Sequence, residues 1–300
     1  MNLSTTIGLL VMIMSESATL ANIAPFPTWN TPIMWTGFIL FADGIVFARR
    51  RTSWLRSAPT EFAFLAAVSI PLWLVFEFYN LFINNWYYVG LPEQLALRTL
   101  GYGWSFATIW PGIFEGAELV SVWCDTEDPS RTSGAAPSTS LREQTGRSRL
   151  PAPEGRLSMA SWLSIGGGAG MLLWPLVSPS PYLAAPVFLG FIFLLDPINA
   201  WLGAESLAQD LREGRYDRMR NLVASGFGCG LLWELWNYWS GAKWHYTVPI
   251  MENLKIFEMP VPGYLGFPAF ALECFTMYVF VRATFARHWG RPIAKSPVVI

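Results

Sequence analysis

The feature that most constrains this chain is a succession of long apolar stretches with little polar sequence between them. Crossing the hydrocarbon of a bilayer takes roughly 20 mostly apolar residues in a helix. Eight such stretches run at about 4–24, 31–48, 62–83, 103–123, 158–178, 183–203, 219–240 and 263–284, the first interrupted by Ser15-Glu16-Ser17. Only 14 % of the residues are charged, 53 % are apolar and the mean hydropathy is +0.34. About a quarter charged is usual for a soluble protein, so a soluble fold of this size would lack polar surface. The expectation is an all-α polytopic integral membrane protein of about eight transmembrane helices.

Basic residues orient these helices. With the N-terminus inside, Arg49, Arg50, Arg51, Arg56, Arg131, Arg142, Arg147, Arg149 and Arg156 are cytoplasmic. So are Arg212, Arg215, Arg218, Arg220, Arg282, Arg287, Arg291 and Lys295, which makes 17 of the 20 Lys and Arg. Arg98, Lys243 and Lys255 are left outside. That bias follows the positive-inside rule and places a multi-pass protein in the cell (inner) membrane with both termini cytoplasmic. No cleavable signal peptide is expected, because the first apolar stretch lacks a basic flank and runs into Pro25 and Pro27.

The chain divides into a first transmembrane repeat (1–123), a flexible cytoplasmic linker (124–157) and a second repeat with a short tail (158–300). The linker is rich in Ser, Pro, Gly, Thr and Arg and has no aromatic from Asp125 to Gly155. It buries too little apolar surface to offset the entropy of ordering. The flanking halves resemble each other. Glu77 and Asn80 correspond to Glu234 and Asn237 at an offset of 157, and Asn85-Trp86-Tyr87-Tyr88 to Lys243-Trp244-His245-Tyr246 at 158. The same 158 relates Glu115 to Glu273, and 153 relates Gly37 and Asp43 to Gly190 and Asp196. Two repeats of four spans insert the same way up, so a pseudo-two-fold axis along the membrane normal is expected.

Carboxyl groups within the spans are the candidate chemistry: Glu16, Asp43, Glu77, Glu115, Glu118, Asp196, Glu234 and Glu273. A charge at the bilayer centre costs about 2.5–3.5 kcal/mol even on a lenient scale. With no Lys or Arg deep in a span, these acids carry protons, bind a cation or are reached by water. Asn80 and Asn237 follow Glu77 and Glu234 by three residues, on the same helix face, positioned to share a network with the acid. The competing reading is helix–helix glue at about 0.6–2 kcal/mol per contact. It is favoured for the unduplicated Glu16 and Glu118, and Asp43, close to the cytoplasmic arginines, suits a structural role.

The outer loops from Asn84 to Gly103 and Gly241 to Gly263 carry aromatic clusters, which serve either as interfacial anchors or as lids over a cavity floored by the acids. His245 is the one outer histidine, with an unperturbed pKa near neutrality, which makes it a candidate acid–base group. Gly166-Gly-Gly-Ala-Gly170 lies in an apolar span without a preceding strand and suits close helix packing rather than phosphate binding.

Three cysteines without a CxxC pair and two histidines support neither a disulfide framework nor a metal centre. A net charge of −1 gives no reason to expect nucleic-acid binding. The expected partners are membrane lipid, an apolar small-molecule substrate and a larger membrane-protein complex, and the sequence assigns no cofactor. Three function classes stay open: an enzyme doing acid–base chemistry on a lipid or isoprenoid-like substrate, a proton- or cation-coupled transporter, and a structural subunit. The site residues favoured for the first two are Glu77, Glu234, Glu115 and Glu273, with Asn80, Asn237 and His245.

Overall fold

The computed structural model of the chain describes residues 2–127 and 157–288, so residues 128–156 of the expected linker lie outside the described residues, with Arg291 and Lys295. The described chain is mostly helical. In order come α1 (Leu3–Leu20), α2 (Phe26–Arg50), α3 (Trp54–Ser57), α4 (Pro59–Ile83), α5 (Leu95–Ala107) and α6 (Ile109–Glu127). Then follow α7 (Met159–Val177), α8 (Ala184–Trp201), α9 (Leu207–Arg212), α10 (Asp217–Trp239) and α11 (Gly266–His288).

Six segments are long and apolar enough to cross a membrane: α1, α2, α4, α7, α8 and Val261–His288, which contains α11. The chain is therefore a membrane protein by length and composition of its helices. Helices α6 and α10 are 19 and 23 residues long but more polar, and stand outside that set. The outward faces agree. Leu10, Leu163 and Val177 are 58 %, 69 % and 83 % exposed, an arrangement that needs lipid around it.

Local chemistry sets the helix ends. Asn2 caps α1 by accepting from the Thr5 N–H, and Ser158 caps α7 by accepting from Ser161 N–H. Helix α4 stops at Asn84, in the left-handed region at φ 50°, where asparagine is tolerated. The expected fourth span at 103–123 is not one helix. Pro111 has no N–H to give to the Ala107 carbonyl, and the chain turns at Thr108, whose hydroxyl donates to Ser105 O at 2.7 Å. Helix α5 is thereby freed to line the site.

Glycine brings neighbouring helices close. A Cβ on Gly8 would lie 2.5 Å from Gly37 O across α1 and α2, and one on Gly168 would lie 2.4 Å from Leu194 N across α7 and α8. Within the Gly166–Gly170 run only Gly168 serves this purpose, since Gly166, Gly167 and Gly170 meet nothing within 4 Å. The halves pack directly, with α10 lying against α6 and α2. Trp110, fully buried, donates its indole N–H to Cys274 O at 2.9 Å across that divide.

The outer loops add four short strands to a fold that is otherwise helical among the described residues. Strand β1 (Trp86–Val89) pairs antiparallel with β2 (Lys243–Tyr246), and β3 (Lys255–Ile256) with β4 (Met259–Pro260). Aromatic-rich runs of four residues suit a pleated, half-buried surface. Beside β1, Gly90 at φ 66° lets the two loops touch, because a Cβ there would lie 2.0 Å from Gly241 O.

Candidate functional site

Helices α2, α8 and α11 begin, and α4 and α10 finish, at the end of the bundle that carries the β1–β2 pair. A cavity of about 540 Å3 opens there, within the range of small-molecule sites. Its walls are aromatic: Trp35, Trp73, Trp86, Trp233, Trp244 and Phe270 all line it. The rings touch in a chain, with centroids 6.0 Å apart for Trp73 and Trp86, 5.8 Å for Trp73 and Trp233, and 5.4 Å for Trp233 and Trp244. Such faces are attractive both to hydrocarbon and to positive charge.

Two glutamates stand behind this wall. Glu77 Oε1 accepts three hydrogen bonds, from Tyr88 Oη at 2.5 Å, Trp73 Nε1 at 2.8 Å and Trp86 Nε1 at 3.2 Å. All three donors line the cavity, whereas Glu77 does not. In the other half Tyr246 Oη donates to Glu234 Oε1 at 2.8 Å and receives Trp244 Nε1–H at 2.8 Å. Glu234 is fully buried and its Oε2 has no partner. Burial first, and then the adjacent carboxyl groups, push the Tyr88 and Tyr246 hydroxyls well above the usual phenol range. Both therefore stay protonated and able to donate.

The asparagines act on the strands rather than on the acids. Asn80 donates to Trp86 O at 2.8 Å and accepts from Asn85 N at 2.8 Å, and Asn237 donates to Trp244 O at 2.9 Å and accepts from Trp244 N at 3.0 Å. Each holds the backbone of the tryptophan whose indole reaches the Glu–Tyr pair.

Other acids lie apart from the cavity wall. Glu115 and Glu273 are buried, Glu115 with both oxygens unpartnered and Glu273 accepting from Phe191 N at 3.2 Å. Among the described residues, Glu77, Glu115, Glu234 and Glu273 make no ion pair. The expectation that intramembrane acids lack cations fails for Glu118, whose Oε2 lies 2.5 Å from Arg50 Nη1. Arg50 ends α2 where α6 runs alongside it, which brings the guanidinium to Glu118. Asp43 accepts from Leu55 N at 2.9 Å and Asp196 from Leu207 N at 2.7 Å, each anchoring the short helix that follows. His245 does not line the cavity, and its Nδ1 is 2.9 Å from Glu258 Oε2.

The groups that face the cavity, Tyr88 and Tyr246, were visible in the sequence only as part of the aromatic clusters. Their common offset of 158 and the four-residue spacing of Trp73 and Glu77 were the available signals. No group of three or more His, Cys, Asp or Glu is placed to hold a metal ion among the described residues. No protein-family model, curated protein or solved structure matches this chain. Its chemistry has to be read from the residues themselves.

Proposed function

We propose that this protein is a membrane-embedded enzyme that admits an apolar, isoprenoid-like lipid to the aromatic cavity and does acid–base chemistry on it. The single observation that carries this reading is the pair of tyrosine hydroxyls in a mostly aromatic wall, each backed by a glutamate. When the glutamate is ionised, it draws the tyrosine O–H back toward itself. When it is protonated, its own O–H donates to the tyrosine oxygen and the tyrosine proton is free to turn to the ligand. A proton thus passes between glutamate and ligand through the phenol, and surrounding tryptophan faces favour any positive charge that develops.

The same reading takes the protein as eight spans in the cell membrane, two repeats with both termini cytoplasmic. The strand register supports it: Trp86 lies opposite Tyr246 and Tyr88 opposite Trp244, about a central Tyr87–His245 pair. Under the 158-residue offset each outer pair maps onto the other, the self-complementary pattern of a two-fold contact. The Asp43 and Asp196 anchors and the Asn80 and Asn237 clamps repeat in the same way. Arginines at the end opposite the cavity support the orientation.

The test uses protein purified into lipid nanodiscs. Geranylgeraniol should quench tryptophan fluorescence saturably, and a membrane lipid extract incubated with the protein should yield a new product by mass spectrometry. The double variant Tyr88→Phe/Tyr246→Phe should keep the binding and lose the product. Uptake of unaltered ligand into vesicles would replace the enzyme by a transporter, and absence of saturable binding would leave a structural subunit.

A further inference from the structure

The cavity is apolar but not neutral. Among the described residues that line it no carboxylate appears, and the two charged ones, Arg98 and Lys243, are both cations. They come from different outer loops, and they are two of the three Lys and Arg that the sequence leaves on that side. Cations beside an apolar volume are costly unless an anion meets them.

Arg98 is only partly satisfied. Its Nε donates to Pro92 O at 2.9 Å and its Nη2 to Glu93 O at 3.4 Å, which uses two of the five N–H groups of a guanidinium. Among the described residues no carboxylate pairs with it. Lys243 donates to Tyr238 O at 3.1 Å and lies 3.6 Å from Glu258 Oε1. Two further donors in the wall are unmet: Trp35 Nε1 and Thr31 Oγ1 are buried without a hydrogen-bond partner. First-turn residues of three helices also face the cavity, Thr28 of α2, Ala184 of α8 and Gly266 of α11. Each helix start adds partial positive charge.

On the proposed reading of an apolar lipid in the aromatic box, we infer that the ligand is an anionic amphiphile. Its hydrocarbon chain lies among Trp73, Trp233 and Phe270, and its phosphoryl or carboxylate head meets Arg98 and Lys243. Arginine suits either head, because its planar fork matches both oxygen pairs. Glu258 competes with the head for Lys243 and so weakens binding.

Three probes with one chain separate the contributions: farnesol, farnesoic acid and farnesyl monophosphate, titrated by tryptophan quenching in nanodiscs of neutral lipid. Both anions should bind about tenfold or more tighter than the alcohol, an advantage that shrinks as salt rises. Arg98→Gln should bring that preference to within about threefold and leave farnesol unchanged, while Arg98→Lys should retain part of it. Glu258→Gln should strengthen binding of the anions alone. Farnesol binding as tightly as the anions, or a preference untouched by Arg98→Gln, overturns the charged head but leaves the apolar site standing. Failure of all three probes to bind saturably overturns both.

Discussion

Replacing Asn237 by alanine should release the β2 strand from the end of α10. Asn237 is fully buried, and its amide meets both the N–H and the carbonyl of Trp244, at 3.0 Å and 2.9 Å. Trp244 is itself only 8 % exposed, so alanine leaves two backbone groups without partners and largely without water. An unsatisfied buried group costs about 1–3 kcal/mol, and hydrogen bonds inside membrane proteins fall toward the low end of that range. The sum is about 2–4 kcal/mol, or roughly a 30- to 700-fold rise in the detached population. Hydrogen exchange at the Trp244 amide reads this directly in detergent-solubilised protein, since that amide is the one Asn237 accepts from. Asn237→Asp keeps the acceptor and loses the donor, so it should protect the amide better than alanine does. Unchanged Trp244 exchange in Asn237→Ala would refute the clamp.

Three further outcomes follow from the packing. Gly168→Leu should lower the thermal midpoint sharply, because a Cβ there would lie 2.4 Å from Leu194 N, whereas Gly166→Ala, with nothing within 4 Å, should be neutral or stabilising by about 0.5–1 kcal/mol. Arg282, which hydrogen-bonds Glu205 and lies 3.5 Å from Glu61, should cost about 3–5 kcal/mol as Arg282→Met in a denaturant titration. Adding Glu61→Gln and Glu205→Gln should recover much of that loss. Burial raises the Glu205 carboxyl, but the charge and hydrogen bond of Arg282 outweigh it and hold Glu205 below its usual value. A depressed folded pKa gives stability that is present above the unfolded value near 4.3 and lost as pH falls through the folded one. Unfolding followed from pH 6 downward should show that acid-side loss, and Glu205→Gln should flatten it.

Much of the helix layout could be read along the chain. Apolar stretches locate α1, α2, α4, α7, α8 and α11, since hydrocarbon thickness fixes the length of a spanning helix. Pro111 holds the reason for the break between α5 and α6, but a hydropathy window averages across it. The site was legible in part. Glu77 and Glu234 stand next to the cavity, yet the groups that touch it are Tyr88 and Tyr246, reached by the chain only after α4 and α10 end. Asn80 and Asn237 were read as partners of the acids on the strength of helical spacing. Their bonds instead go to the strand backbones, which offers two polar groups where a glutamate offers only acceptors.

Sequence alone decided that the chain belongs in a bilayer, because surface polarity is a sum over residues and needs no knowledge of their neighbours. It also decided which polar residues stand in apolar stretches. Only tertiary structure decided that tryptophans from α2, α4, α10 and both outer strands enclose one volume, and that Arg50 reaches Glu118 while four other acids go without a cation. Those relations depend on how helices cross and where loops fold back over them. Contacts of that kind join residues far apart in the chain, where neither local period nor composition carries the information.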